Sequence, residues 1–389
     1  MAGEKDAILL NETTKRLFFL GFGNVNRALA KMLLDPTKAA LFADHGGFKI
    51  VGVATGSHGL IGVTDDVSSL SLPSMLDLAN EGGDMTDCAF ADYHCKGPPQ
   101  NLKLGIRIAG EVKLNDIADA IRQTRPDIVL EAIPLNKHSG EPASTLLSVA
   151  LESGAHAVSA NKGPVVHNRE KILSLAASRG LSYRHESAVM DGVPIFSFWE
   201  RVVPGAKLLK LEGVLNSTTN IILSRMECEN ESFDEALSYA QREGIAEADP
   251  SDDIDGVDAA FKLVALCNVL MEQKIKVSSV PREGIRKISQ EDVRRATTRR
   301  KRYRLICSAE RLSDDSSVDA KVELREVDFE SPFANLQGAS SALTLVTDVL
   351  GPITITSTHP TNTDTAYGLF SDSLLALQDA KLRFGRSKR

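Results

Sequence analysis

The chain has 389 residues, 42% of them apolar and 25% charged, enough for two or three domains with substantial cores. No run of eighteen apolar residues occurs, so no membrane span is expected, and a net charge of −7 with an isoelectric point near 5.7 speaks against nucleic acid as a partner. Five scattered cysteines (Cys88, Cys95, Cys228, Cys267 and Cys307), odd in number and without paired metal spacing, indicate a reducing compartment and no disulfide framework.

The N-terminus carries Glu4, Lys5 and Asp6 ahead of a short Ala7-Ile-Leu-Leu10, too weak for a secretory signal, so a cytoplasmic protein is expected. Arg16-Leu-Phe-Phe-Leu-Gly21 predicts a buried strand that runs into Gly21-Phe-Gly23-Asn-Val-Asn26, with an apolar helix from Ala28 to Leu34. In that strand–turn–helix context GxGxxG binds a dinucleotide, because the glycines let backbone N–H groups and the helix N-terminus approach a pyrophosphate. Asn26 stands at the third glycine, so the match is partial.

Phe48 to Ala54 predicts a second strand, followed by Thr55, Gly56, Ser57 and His58 and not by an acid for an adenosine ribose. Residues 63–104 are polar and dotted with Pro and Gly, and predict an insertion with one short helix near Ser71 to Glu81. Asp127 to Ile133 is an apolar strand; the helix Ala143 to Ser153 leads to the strand Ala155 to Ala160, closed by Asn161-Lys162-Gly163-Pro164. This alternation predicts an α/β first domain over 1–165, a Rossmann-type doubly wound parallel sheet.

Past residue 165 the pattern changes. A helix Arg169 to Ser178, a strand Leu181 to Glu186, a helix Pro194 to Arg201 and a strand Lys207 to Leu215 come first. Strands at Tyr303 to Glu310, Asp319 to Val327 and Leu343 to Thr356 follow later, and together they predict an α+β domain with a mixed sheet over 166–364. A terminal helix from about residue 365 is expected to return to the first domain.

Between these strands lies Glu247-Ala-Asp-Pro-Ser-Asp-Asp-Ile-Asp-Gly-Val-Asp258, with six carboxylates in twelve residues, and Lys262 four residues further on. Pro250 and Gly256 mark loop, and Val257 to Leu270 predicts an apolar helix, which sets Asp258 and Lys262 on one face. Acids with one amine beside them suit a small, positively charged substrate that needs a proton moved. Two other readings stay open: Asp255 capping the helix with Asp258 in its first turn, and a calcium loop around Asp253-Ile-Asp255-Gly256, whose frame fails at Lys262. The basic run Arg294 to Arg304 is read as a solvated helix face or a phosphate-facing edge.

Taken together, GFGNV at the first turn, GEPA at 140–143, SANKGP at 159–164, LEGVLNSTTNIIL at 211–223 and the acidic segment through Lys262 resemble the homoserine dehydrogenase family, from about Leu17 to Asp379. The resemblance implies reversible reduction of aspartate 4-semialdehyde to homoserine with NADH or NADPH, on the route to threonine and methionine. By position it makes Lys262 the proton-transferring lysine and Lys162 the lysine between cofactor and substrate. It sets Glu247, Asp253, Asp258, Ser217 and Thr218 at the substrate. Gly21, Gly23, Asn24, Val25, Ile133, Lys162 and Thr361 fall at the cofactor. Glu186, with the carbonyls of Val189, Asp191 and Val193, matches a site for a monovalent cation, sodium or potassium, while a capping role for the Glu186 carboxylate is the other reading.

The chain departs from the family at Asn26, expected to loosen helix–pyrophosphate packing, and at Ile133, where relatives carry Thr. Ser217 replaces a Gly, and Ser357 to Thr365 replace a glycine-rich loop. Two readings compete with the main one: a related dehydrogenase for another small amino- or hydroxy-acid, and a nucleotide-binding sensor without turnover, which intact Glu247, Asp258, Lys262 and Lys162 oppose. The end of the second strand points to NADP or to use of both cofactors. A homodimer is expected through the apolar second-domain sheet, as at Leu343 to Leu350. With no room seen for a kinase or ligand-sensing domain, little inhibition by threonine is expected.

Overall fold

The computed structural model describes residues 14–65, 68–89, 104–313 and 317–386; the N-terminal segment, Cys95 and much of the 63–104 stretch lie outside them. The chain forms two units. The first comprises described residues up to 161, 168–185 and those from 369 onward; the second comprises 162–167 and 186–368.

The first unit is built on seven strands: β1 (Lys15–Leu20), β2 (Phe48–Ala54), β3 (Leu60–Val63), β4 (Leu104–Ile108), β5 (Ile128–Glu131), β6 (His156–Ser159) and β7 (Tyr183–Arg184), in the order β4-β3-β2-β1-β5-β6-β7. From β2 to β7 all neighbours are parallel. Leu17 to Leu20 and Ile128 to Glu131 are almost wholly buried, as strands sandwiched between helices must be. β3 pairs antiparallel to β2 and β4 antiparallel to β3, so the sheet is mixed, and the ends of the expected insertion are its last two strands on that side. The helix Ser71 to Glu81 begins at Leu72 with Ser71 as its cap. The expected boundary at 165 also shifts. Tyr183 and Arg184 pair with Ala157 and Val158, which keeps β7 and the preceding helix Arg169–Ser178 in the first unit. From Leu369 the terminal helix Asn362–Arg386 belongs here too, with Phe370 edge-on to Phe42 and Asp379 bonded to Arg184 at 2.5 Å.

The second unit carries β8 (Leu208–Val214), β9 (Lys301–Arg311), β10 (Val318–Asp328), β11 (Ser341–Thr347) and β12 (Ile353–Ser357), in the order β10-β9-β8-β11-β12. Every pairing is antiparallel, so the mixed sheet expected here is not formed. The single strand expected over Leu343 to Thr356 is a hairpin: Asp348 turns away to exchange bonds with Lys207, and Gly351-Pro352 cannot extend a ladder. Leu343 and Leu345 are fully buried inside this unit, so these two side chains serve its core. The other face is polar, with Glu212 holding Arg325 at 2.9 Å and Thr344 bonded to Thr354 at 2.8 Å.

The basic run proves to be paired within the unit. Arg299 meets Glu326 and Arg302 meets Glu227, both at 2.5 Å, while Arg300 meets Glu330 at 3.1 Å. Arg304 is only 1% exposed and donates to the carbonyls of Phe333, Ala334 and Leu336. Arg299 and Arg300 form their pairs at the surface, with side chains 58% and 71% exposed.

Candidate active site

In the second unit the chain leaves β8 at Leu215 and enters the helix Ser217–Cys228. Asn216 caps that helix by accepting from Thr219 N at 2.9 Å. Its amide nitrogen donates to Asp253 Oδ1 at 2.7 Å and to Asp258 Oδ2 at 3.0 Å. Asn216 was missed in the sequence; its signal, an Asn ahead of Ser-Thr-Thr, was a helix cap.

The helix Val257–Leu270 starts as expected, but its cap is Gly256 at φ 74°, a conformation that suits glycine. Asp255 is therefore no cap. It forms a two-pronged bridge to Arg286, outside the site. Asp258 points inward, where its Oδ1 accepts from Lys162 Nζ at 2.6 Å and its Oδ2 lies 3.3 Å from Lys262 Nζ. Lys262 also donates to Leu215 O at 2.7 Å. The short helix Lys162–His167 brings Lys162 here, and Asn268 on the longer helix holds it by donating to Val166 O at 3.4 Å.

The electrostatics follow from this packing. Burial raises the Asp258 carboxyl, but Lys162 and Lys262, with bonds from Lys162 and Asn216, outweigh it and hold the group far below the usual carboxylate range. Burial lowers Lys262, yet Asp258, then Asp191 and Asp253, lift it above its ordinary value. The ammonium form of Lys262 is therefore the resting one. The Asp191 carboxylate was expected to contribute only its carbonyl, and it also bonds Thr365 Oγ1 at 3.1 Å.

Not every expected residue converges. Ser217 and Thr218 form the first turn beside Asn216, with Thr218 buried. Glu247 stands exposed on the loop before the helix Ser251–Ile254, and none of the bonds described above reaches it. Glu186 accepts from Phe196 N at 2.7 Å and Ser197 N at 2.8 Å, so its carboxylate caps the helix Ile195–Arg201. Val193 O already accepts from Ile195 N at 2.8 Å. Met190 and Asp191 both hold positive φ, 55° and 59°, which strains a loop without glycine at those positions. Among the described residues no group of three or more His, Cys, Asp or Glu is placed to hold a metal. Thr361 caps the terminal helix together with Asp364, from which Thr361 N lies 2.7 Å.

In the first unit, Gly21 has φ 81°, and a Cβ there would sit 2.6 Å from Ala132 O. A side chain at Gly23 would meet nothing within 4 Å. Gly23 precedes Asn24 and Val25, the first residues of the helix Asn24–Leu33, whose N-terminus is thus open to an anion. The glycine pattern fits a pyrophosphate. Asn26 does not loosen it: fully buried, it donates to Gly21 O at 2.6 Å, Leu130 O at 3.2 Å and Leu20 O at 3.4 Å. At the end of β2, Ser57 Oγ and His58 Nδ1 are 2.8 Å apart, with no acid and no arginine in that turn.

The family model described as homoserine dehydrogenase matches residues 194–374. An NAD(+)-dependent homoserine dehydrogenase of Pseudomonas canavaninivorans is 33% identical over 368 residues, 95% of this chain and 97% of that protein. A homoserine dehydrogenase of Methanocaldococcus jannaschii is 29% identical over 92% of this chain and 96% of its own. Among solved structures, a homoserine dehydrogenase from Thiobacillus denitrificans superposes with a TM-score of 0.74 at 26% identity, covering 96% of this chain and 74% of that one. A hyperthermophilic archaeal homoserine dehydrogenase in complex with NADPH shares the fold, with a TM-score of 0.71 at 22% identity over 94% and 98% of the two chains.

Proposed function

The chain belongs to the homoserine dehydrogenase family, and on that premise we propose how its residues divide the work. Its reaction is the reversible, NAD(P)-dependent hydride transfer between aspartate 4-semialdehyde and homoserine. The bound nicotinamide supplies or accepts the hydride; the protein supplies orientation, charge and a proton.

The bridge Lys162–Asp258–Lys262 carries the reading. In reduction the Lys262 ammonium gives its proton to the oxygen of the former aldehyde, and in oxidation the Lys262 amine removes the hydroxyl proton. Lys162 lends positive charge to that oxygen. Asp258 stays ionised between two ammoniums, so it aims both lysines and transfers no proton. Asp253, one oxygen held by Asn216, faces the substrate ammonium with the other; Glu247 joins it only if its loop folds inward. Lys262→Ala, assayed with homoserine and with NAD and NADP separately, should lose at least about a hundredfold in kcat while remaining folded. Near-normal turnover would overturn the assignment.

The first unit holds the dinucleotide at Gly21, Gly23, Asn24, Val25 and Ile133. The Ser57–His58 pair brings neither a carboxylate to repel a 2′-phosphate nor a guanidinium to demand one, so both cofactors are accepted. The second unit binds the substrate and pairs with a second copy. Support for a homodimer comes from β12, the last strand of its sheet, with Val349 and Leu350 exposed in the turn that precedes it. The strained Met190–Asp191 turn supports a monovalent cation there, held by Glu186 and the carbonyls of Val189, Asp191 and Val193, because a bound ion would offset the strain. Free Cys88, Cys228, Cys267 and Cys307 support a cytoplasmic setting, and no described helix is long and apolar enough to cross a membrane.

A further inference from the structure

Strand order in the first unit reverses between β1 and β5, and at such a switch point the carboxyl ends of strands form the ligand crevice. The last residue of β5 is an acid. Glu131 is wholly buried, at the end of a strand otherwise made of Ile, Val and Leu. Burial raises its carboxyl, while bonds from Ser159, Ile133 and Asn161 pull it down. A carboxyl buried among neutral donors is expensive to desolvate. Stability alone does not call for an acid here.

Its bonds show what it does. One oxygen accepts from Ile133 N at 2.9 Å and from Asn161 Nδ2 at 3.3 Å; the other accepts a short bond from the Ser159 hydroxyl. Ser159 Oγ accepts in turn from Asn161 N at 3.0 Å, and Asn161 Nδ2 also reaches Ile133 O at 3.3 Å. A single carboxyl therefore ties Ile133, two residues past the end of β5, to Ser159, the last residue of β6, and to Asn161 two residues beyond it. On the neighbouring side, Asn26 ties Leu130 of β5 to Leu20 and Gly21 of β1.

We propose that Glu131 is a positioning residue for hydride transfer: its carboxyl fixes the ends of β5 and β6, so that Ile133 and the Asn161–Lys162 peptide hold the nicotinamide ring in register. The inference rests on the reading that Ile133 lines the cofactor site. A glutamine at 131 has the same shape and keeps an oxygen for Ile133 N and Asn161 Nδ2, but it sets an amide nitrogen, which cannot accept, where the Ser159 hydroxyl donates.

The test compares Glu131→Gln, Ser159→Ala and the double variant with the parent. Cofactor dissociation constants are read from nicotinamide fluorescence with NADH and NADPH, alongside kcat, both KM values and thermal melting. Glu131→Gln should raise the cofactor dissociation constant about tenfold, the worth of one bond to a charged group, and leave the KM for homoserine within about twofold. Ser159→Ala should act in the same direction and more weakly, and the double variant should be no worse than Glu131→Gln, because both break one link. A Glu131→Gln protein that melts lower yet keeps the parent cofactor affinity overturns the proposal, as does an equal rise in both KM values. If Glu131→Gln does not fold, Ser159→Ala decides, and an unchanged cofactor affinity overturns it. A parent protein that binds neither nucleotide would remove the cofactor reading itself, and the proposal with it.

Discussion

Replacing Asp258 by asparagine removes one negative charge from between two ammoniums while keeping the side chain's outline. Lys162 Nζ is 2.6 Å from one oxygen and Lys262 Nζ 3.3 Å from the other. At an effective dielectric constant near 20, the attraction of the Lys262 pair alone is about 5 kcal/mol. Relaxation and water will absorb much of this, and the Lys262 pKa is expected to fall. Asp258 raises Lys262, and the base in homoserine oxidation is the neutral amine. The rising limb of kcat/KM for oxidation should therefore lie at high pH in the parent and move toward neutrality in Asp258→Asn. The same substitution leaves two ammoniums uncompensated, which should cost about 3 kcal/mol in urea unfolding at neutral pH. Because the folded Asp258 carboxyl lies below its ordinary 3.8, its stabilising contribution is complete above about pH 4 and drains as pH falls. The variant should show a shallower loss of stability in acid. The experiment is a pair of pH–rate profiles for homoserine oxidation with purified protein. A limb that stays put or moves to higher pH would refute the electrostatic argument.

Asn26→Gly restores the third glycine but forfeits the bonds to Leu20, Gly21 and Leu130, and should cost about 1–3 kcal/mol by chemical unfolding; equal or greater stability would show that the staple contributes nothing. Ser57→Asp sets an anion at the end of β2 and should favour NAD over NADP by at least about tenfold in kcat/KM; an unchanged ratio places the adenosine elsewhere. Arg286→Ala breaks an ion pair whose side chains are 49% and 43% exposed, so it should leave stability nearly unchanged and both KM values alone. A large rise in the substrate KM would return Asp255 to the pocket.

What the sequence revealed depended on whether a signal was local. The glycine turn and the helix Val257–Leu270 were legible because each is written in consecutive residues with a clear period or breaker. β2 fell on its expected residues for the same reason. The roles of the acids were not legible. Asp255 and Asp258 are three residues apart, yet one faces Arg286 and the other Lys162, and only the left-handed turn at Gly256 decides which. Asn26 read as a defect because its partners, Gly21 and Leu130, come from two different strands. The Leu343 to Thr356 stretch read as one strand because its turn, Asp348 to Pro352, contains the apolar pair Val349-Leu350. Conversely, the basic run suggested a surface function because its counter-ions, Glu227, Glu326 and Glu330, lie far from it in sequence.

The course of the chain between the two units has a practical corollary for anyone who wishes to recombine them. Residues 162–167 belong to the second unit but lie in sequence inside the first, and that excursion carries Lys162. A clone spanning only 186–368 would therefore encode Asp258, Lys262 and Asn216 without the ammonium that completes their bridge. Chimeras with other dehydrogenases inherit the same constraint. A donor cassette that replaces the nucleotide-binding portion brings its own version of this six-residue peptide, which must then match a foreign carboxylate and a foreign Asn268. The junctions to respect include the peptide bonds on either side of the excursion as well as 185/186 and 368/369, so exchanging the first unit is a three-piece operation.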